Sequence, residues 1–250
     1  MITDRQSMLL VDKPAGWTSF DVVAKIRSQI RAQYRARGER PTKRQLRVGH
    51  TGTLDPFATG LLIILLGDAC KRSDEFLKLD KVYEATITLG ATSTTGDPEG
   101  EIVAYGKWKI EDSQSCQPSS NSYLPHAATL PEPSLDEVVK TLGDFTGEIT
   151  QIPPSYSAIK IGGERAYKLA RAGKTVDMPS RQVTIYSLDL IDYTYPELRI
   201  RAHVSSGTYI RTLAEDIGRA LGTGAYCSDL RRTRVGDYCI DNVADISLVS

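Results

Sequence analysis

The segment of residues 48–60 constrains this 250-residue chain more than any other. It reads V-G-H-T-G-T-L-D-P-F-A-T-G and is followed at once by an apolar run, residues 61–66. Glycines permit positive φ angles and close approach of a ligand, and Pro56 fixes the backbone directly after Asp55. The sequence therefore predicts a turn that holds Asp55 in one pose and is anchored in a hydrophobic core.

Asp55 has two interpretations. An Asp before Pro at a turn commonly caps a helix or bonds its own backbone, and spacing alone favours that structural role. The segment also resembles the catalytic loop of the bacterial TruB-type tRNA pseudouridine-55 synthases, in which G-H-T-G-x-L-D-P-x-A-T-G carries the catalytic aspartate. Every fixed position of that motif is present between Gly49 and Gly60. The resemblance implies that Asp55 is the catalytic carboxylate and that the chain has an α+β pseudouridine synthase fold with a mixed sheet.

Composition limits the other possibilities. With 40% hydrophobic and 25% charged residues, the chain can bury the core of a single domain. Four cysteines without C-x-x-C spacing and only three histidines indicate neither a disulfide framework nor a zinc site. The polar first residues lack a signal pattern, and no apolar stretch approaches the ~18 residues of a membrane helix. We therefore expect a cytoplasmic protein without metal, cofactor or membrane contact.

The net charge is zero, but the basic residues are unevenly placed. Between residues 22 and 50 one acid, Glu39, stands against nine basic residues: Lys25, Arg27, Arg31, Arg35, Arg37, Arg40, Lys43, Arg44 and Arg47. Such clustering is typical of phosphate binding, although a solvated helix face gives the same pattern. Its proximity to the Asp55 loop favours contact with RNA.

Alternating strands and helices are predicted along the chain. Strand patterns occur at residues 8–11, 82–89, 181–192 and 197–205. Helical spacing follows a cap at Thr18 or Ser19 and recurs at residues 68–79, 134–142 and 208–221. Gly222 and Gly224 are expected to end the last of these helices. Residues 106–134 are polar and are interpreted as a loop insertion, in which Cys116 and His126 carry no chemistry.

Further segments extend the resemblance over most of the chain. Residues 12–19 are similar to the family stretch that packs beside the catalytic loop, and the K-V-Y segment makes Tyr83 the active-site tyrosine. A tyrosine on a strand is more often half-buried packing. Residues 151–160, Q-I-P-P-S-Y-S-A-I-K, resemble the family's Q-x-P-x-x-S-A-x-K stretch. In physical terms, the segment leaves Lys160 available for phosphate.

The last two matched segments complete the implied site. G-T-Y-I-R makes Arg211 the active-site arginine and Tyr209 a substrate-binding tyrosine, and in the L-R-R segment Leu230 lines the nucleotide pocket. His50 is expected to assist RNA binding or base extrusion. A guanidinium favours the charged form of a nearby carboxyl, so we expect Arg211 to lower the pKa of Asp55.

The activity that the resemblance implies is isomerisation of uridine to pseudouridine in the T-arm loop of tRNA. Asp55 would attack, deprotonate or stabilise the sugar while the glycosidic bond breaks, and Tyr83 would stack on the detached base. The uridine must first be flipped out of its stack. The expected partner is a tRNA T-arm stem-loop, bound by a monomer without an obligate protein partner.

Residues 1–250 are expected to form one catalytic domain without the C-terminal RNA-binding domain of the PUA kind. Residues 35–46 and 106–134 look longer than is usual in the family. Three alternatives are the archaeal and eukaryotic guide-RNA synthase subunit, a noncatalytic RNA-binding protein on the same scaffold, and a metal hydrolase. The metal hydrolase is the weakest of the three, because the sequence has no His-rich ligand set.

Overall fold

The computed structural model describes residues 7–105, 132–157, 159–174 and 176–243. Most of the predicted insertion at 106–134, with Cys116 and His126, lies outside these described residues. The strands are β1 Met8–Lys13, β2 Val48–His50, β3 Thr59–Leu66, β4 Lys81–Leu89, β5 Ala91–Ser93, β6 Ile102–Ala104, β7 Gly147–Gln151, β8 Lys160–Ile161, β9 Glu164–Arg165, β10 Arg181–Thr194, β11 Glu197–Val204, β12 Ala225–Val235 and β13 Tyr238–Cys239. The α-helices are α1 Ser19–Ala36, α2 Ser73–Leu77, α3 Leu135–Asp144, α4 Ala166–Arg171 and α5 Ile210–Ala220.

Nine of the described strands form one sheet in the order β1-β3-β12-β4-β11-β10-β7, with β2 beside β3 and β13 beside β12. β12 and β3 are parallel and the other pairs are antiparallel, so the sheet is mixed, as predicted. The predicted α+β class is confirmed. Within the described residues, no helix is both long and apolar enough to cross a membrane.

The apolar run after the Asp55 loop is a strand with both faces buried. Leu62 and Ile64 of β3 pack under α1, whereas Leu61 and Ile63 on the other face pack with Val235. A third cluster joins β4, β11 and β12 to α3 and α5. Burial on both faces explains why the run does not alternate with polar residues.

The predicted strands and most predicted helices are confirmed. α1 begins after Thr18, whose hydroxyl accepts from the Asp21 N–H while the Asp21 carboxylate accepts from the Thr18 N–H. The single helix predicted at 68–79 is wrong, because a 3₁₀ helix at Gly67–Arg72 precedes the short α2. Neither helix has a side-chain hydrogen bond at its N-cap, so nothing favours one continuous α-helix there.

Candidate active site

Asp55 lies on the loop between β2 and β3, and the chain entering α1 holds that loop from one side. The Nζ of Lys13 is fully buried and donates to the carbonyls of Pro56 at 3.2 Å, Trp17 at 2.7 Å and Pro14 at 2.8 Å. Burial lowers the pKa of Lys13 to about 8, although the Asp55 charge opposes that shift. Lys13 therefore joins the turn after β1 to the residue that follows Asp55.

Ser19, the first residue of α1, fixes the residue before Asp55. Its hydroxyl accepts from the Leu54 N–H at 2.9 Å and donates to the Leu54 carbonyl at 3.2 Å. Both partners are buried, so these hydrogen bonds are shielded from water. Lys13 and Ser19 thus hold the backbone on either side of Asp55.

Arg232 of β12 holds the two ends of the loop together. Its side chain is 1% exposed, and it donates from Nε to the Leu61 carbonyl at 2.8 Å and from Nη2 to the Gly52 carbonyl at 3.1 Å. Gly60 has φ of +103°, and a Cβ there would collide with the backbone of Arg232. The glycine of the motif is therefore required by the close approach of β12 to β3.

Arg211, in the first turn of α5, lies against Asp55. Its Nε is 3.0 Å from Oδ2 of Asp55, but the N–H is not aligned for a hydrogen bond, so the contact is an ion pair. Nη1 donates to Oδ2 of Asp97 at 2.9 Å and to the Thr95 carbonyl at 2.8 Å, and Nη2 donates to the Tyr156 carbonyl at 2.9 Å. The guanidinium is thus fixed by backbone and carboxylate groups from two other segments of the chain.

Asp97 is the buried partner on the far side of Arg211. Its side chain is 4% exposed, and Oδ1 accepts from the Thr95 hydroxyl at 2.6 Å and from the Glu99 N–H at 3.0 Å. These two hydrogen bonds therefore orient the carboxylate toward Arg211. Asp55, in contrast, keeps 34% of its side chain exposed, which leaves the carboxylate accessible to a substrate.

The net pKa shift of Asp55 is upward. Partial burial of the loop raises the pKa above its ordinary value and the Asp97 charge adds to the rise, whereas Arg211 and Lys13 lower it without cancelling the effect of burial. The expectation that Arg211 lowers the pKa of Asp55 is confirmed, but the net shift is upward because the effect of burial is larger. Arg211 limits a rise that burial alone would make larger.

Tyr83 and Leu230 lie in the apolar cluster that includes part of the loop. Tyr83 of β4 pairs with Arg232 of β12, and Leu230 precedes Arg232 by two residues on the same face of β12. Both are buried in the cluster that also contains Leu54 and Ala58 of the loop. The structure therefore places these two predicted residues in the same apolar cluster as Leu54, the residue that precedes Asp55.

His50 ends β2, at the start of the loop. Burial lowers the pKa of its imidazole, and the charges of Arg232 and Arg165 lower it further. Its Nδ1 is buried without a hydrogen-bond partner among the described atoms. A neutral imidazole with such a ring nitrogen is suited to a hydrogen bond with the substrate rather than to carrying a positive charge.

Tyr209 is the N-cap residue of α5, two residues before Arg211. Its N–H donates to Gln151 Oε1 at 3.1 Å, Gln151 Nε2 donates to its carbonyl at 3.3 Å, and the Arg181 guanidinium lies 5.4 Å from the centre of its half-buried ring. Gln151 is fully buried and so fixes the start of α5.

Lys160 lies on the short hairpin formed by β8 and β9. It is exposed on β8, where it pairs with Arg165 of β9, and it is not among the described contacts of Asp55 or Arg211. The segment just before β8 does reach the site, since the Tyr156 carbonyl accepts from Arg211. Lys160 stays a prediction for phosphate contact.

Lys13, Asp97 and Arg232 hold the site, but sequence pattern predicted no role for these three residues. The signal that could have identified Asp97 is the acidic turn T-G-D-P-E-G at residues 95–100, and for Arg232 it is the doubled arginine after Leu230. Within the described residues, no group of three or more His, Cys, Asp or Glu side chains is arranged to hold a metal ion.

Two family models together match most of the chain. "TruB family pseudouridylate synthase (N terminal domain)" matches residues 40–123 and 108–210, and "tRNA pseudouridylate synthase B C-terminal domain" matches residues 211–249. The second range includes β12 and most of α5, which pack in the same apolar cluster as β4 and β11.

Curated relatives agree with the family models. A tRNA pseudouridine synthase B of Cupriavidus metallidurans is 43% identical over 248 residues, which cover 98% of this chain and 68% of that protein. A protein of the same name from Bacteroides fragilis is 41% identical over 240 residues, covering 95% of this chain and 90% of its own. The chain thus spans about two thirds of the length of the Cupriavidus relative.

Among solved structures, "Crystal Structure of a Cbf5-Nop10-Gar1 Complex" contains a chain with a TM-score of 0.62 and 26% identity, covering 93% of this chain and 50% of that one. With the family models, this match confirms the pseudouridine synthase fold expected from the sequence.

Proposed function

Because this chain belongs to the TruB family of pseudouridylate synthases and is itself a pseudouridine synthase, we propose that it isomerises uridine to pseudouridine in tRNA. The proposed target is position 55, in the loop of the T arm. The observation that carries the proposal is the ion pair of Asp55 with Arg211, in which Arg211 is buried and Asp55 is partly open to a substrate.

The reaction needs a group that assists cleavage of the bond between N1 of uracil and C1′ of ribose. Asp55 supplies it by attacking the sugar, deprotonating it or stabilising its developing positive charge. The detached base then turns, C5 bonds to C1′, the proton on C5 is lost and N1 gains a proton. Atoms and electrons balance within the nucleotide, so the reaction requires no redox partner.

The surrounding residues orient this chemistry. Arg211, held by Asp97, keeps a fixed positive charge beside Asp55 and favours its ionised form. Tyr83 and Leu230 offer an apolar surface on which the detached uracil stacks instead of diffusing away. His50 and Tyr209 are assigned to substrate binding, and Lys160 to a phosphate.

The uridine lies in a folded RNA loop, so it must be flipped into the site at a cost of a few kcal/mol in lost stacking. Phosphate contacts from the basic residues of α1 and of the following loop, residues 37–47, offset part of that cost. We propose that the described strands and helices act as one catalytic unit, because β12 and α5 share a core with β4 and β11.

Incubation of the purified chain with an unmodified T-arm stem-loop tests the proposal. Mapping of the product RNA is expected to find pseudouridine at the target uridine, and a stem-loop with cytidine at that position serves as the control. RNA that is bound but never converted would favour a noncatalytic RNA-binding protein on the same scaffold.

A further inference from the structure

The exposed face of α1 carries an unusual set of side chains. Its buried face packs on β3 through Val22, Val23, Ile26 and Ile30. The opposite face carries exposed residues spaced three or four apart, so they form one stripe along the helix. The stripe, called the α1 track below, consists of Phe20, Ala24, Ser28, Arg31 and Arg35.

Phe20 begins the α1 track and has no described structural role. Its side chain is 63% exposed, and it belongs to none of the three apolar clusters among the described residues. The start of α1 is closed instead by Trp17, which precedes the cap and packs on the cluster that contains Val22. The exposed ring of Phe20 is therefore available for a ligand.

Phe20 is next in sequence to a residue that holds the Asp55 loop. It directly follows Ser19, whose hydroxyl is bonded to both backbone groups of Leu54, the residue before Asp55. Successive helical residues are rotated by about 100°, so Ser19 faces the loop while Phe20 projects from an adjacent side of the helix into solvent. An aromatic surface therefore lies beside the loop and faces solvent.

Farther along the α1 track the chemistry changes from aromatic to cationic. Ala24 and Ser28 are small, and Arg31 and Arg35 lie roughly 16 and 22 Å from Phe20 along the axis, at 1.5 Å per residue. The single acid of α1, Asp21, is used in the Thr18 cap. An aromatic platform followed by cations is the combination with which proteins bind unpaired RNA.

We propose that the α1 track binds the RNA strand that leads to the target uridine. Phe20 stacks on an unpaired base that flanks the flipped nucleotide, and Arg31 and Arg35 bind phosphates farther from the site. The small side chains of Ala24 and Ser28 leave room for the strand between these contacts. This inference rests on the proposed function, because it takes the Asp55 loop as the point where the strand ends.

Salt dependence of binding separates the two kinds of contact. Phe20→Ala is expected to weaken binding of an unmodified T-arm stem-loop by roughly 5- to 150-fold, the loss expected for one stacked base, by a similar factor at low and high salt. Phe20→Tyr should bind like the parent, and Phe20→Leu should bind like Phe20→Ala. Replacing Arg31 and Arg35 by Ala should lower the slope of log affinity against log salt by up to about two units.

Tyr186→Ala is the matched control, because Tyr186 is an aromatic residue, 52% exposed, on strand β10. Its neighbour Ile185 is in the core, so Tyr186 projects from the opposite face of the sheet and its loss should leave RNA affinity unchanged. Equal affinities of the parent and Phe20→Ala for the stem-loop would overturn the proposal that the α1 track binds RNA. A concentration-dependent dimer that Phe20→Ala abolishes would assign the ring to a second copy of the chain and would also overturn it.

Binding and turnover are measured on the same samples. A parent protein that binds the stem-loop through Phe20 but forms no pseudouridine would refute the proposed function while leaving the track intact. If the parent and Phe20→Ala convert the uridine equally well at limiting enzyme and RNA, the role of the α1 track is refuted while the proposed function stands.

Discussion

Arg211 approaches Asp55 to 3.0 Å while 4% of its own side chain is exposed, so a buried cation faces a partly open carboxylate. Burial of the cation is compensated by Asp97 and by two backbone carbonyls. Asp55 can therefore act on a substrate without leaving Arg211 unpaired.

Arg211→Lys is expected to slow pseudouridine formation by about 100-fold, since an ammonium cannot contact Asp55, Asp97 and the carbonyls with one planar group. Single-turnover rates on the T-arm stem-loop measure the effect. Arg219→Lys, on the exposed side of α5 and paired with Asp216, is the control and should behave like the parent. An equal loss in both variants would mean that α5 had been disturbed as a whole.

Asp97→Asn is expected to move the acid limb of the rate profile to lower pH. The Asp97 charge contributes to the raised pKa of Asp55, so removing that charge lowers the pKa and keeps Asp55 ionised in more acid solution. Single-turnover rates over roughly pH 4 to 8 measure this shift, with exposed Asp136→Asn as the control. A limb that stays in place or moves to higher pH would contradict the assignment of that limb to Asp55.

Much of this arrangement was predictable, because local patterns determine it. The Thr18 cap, the α1 spacing and the glycines of the Asp55 loop each depend on neighbouring residues. The contact of Arg211 with Asp97, 114 residues away in sequence, was not predicted. It depends on the sheet order, which sets β12 between β3 and β4, and pattern alone does not specify that order.

The pKa of Asp55 could not be predicted for the same reason. The sequence indicated a guanidinium partner for Asp55, which favours a lowered pKa, but it gave no measure of burial. In the fold, the packing of the loop against α1 and β12 desolvates the carboxyl more than Arg211 and Lys13 compensate. Burial is a tertiary property and becomes visible only when the elements are assembled.

Replacing Arg35, Arg37 and Arg40 together by Ala is expected to weaken RNA binding and to flatten its salt dependence. Each lost phosphate contact lowers the slope of log affinity against log salt by roughly one unit or less. Turnover of bound RNA should change little. A triple Ala variant of the exposed Arg72, Arg199 and Arg201, which lie on other surfaces, is the matched control. Unchanged affinity and slope would mean that the basic stretch is a solvated surface that does not bind RNA.

Treatment with a chelator is expected to leave turnover unchanged, because the proposed chemistry uses Asp55 and Arg211 and no metal ion. The measurement is pseudouridine formation before and after chelation, with RNA folding followed separately. Loss of turnover on folded RNA, restored by a divalent ion, would contradict a mechanism that needs only these side chains.

The stability of Asp55→Asn provides a first test of the account of Asp55. A raised pKa means that the folded protein disfavours the ionised carboxyl, so the stability linked to this group is present at low pH and is lost as pH rises through the folded pKa. At neutral pH the Asn variant should therefore be at least as resistant to thermal unfolding as the parent. A purely structural cap predicts the opposite, a loss of about 1 kcal/mol.

The most direct test of the central claim is the single-turnover rate of Asp55→Asn on the T-arm stem-loop, measured beside its affinity for the same RNA. If the carboxylate assists glycosidic cleavage, the rate should fall by several orders of magnitude while the folded variant binds the stem-loop like the parent. Near-normal pseudouridine formation by a folded, sequence-verified Asp55→Asn protein would contradict the catalytic role of Asp55.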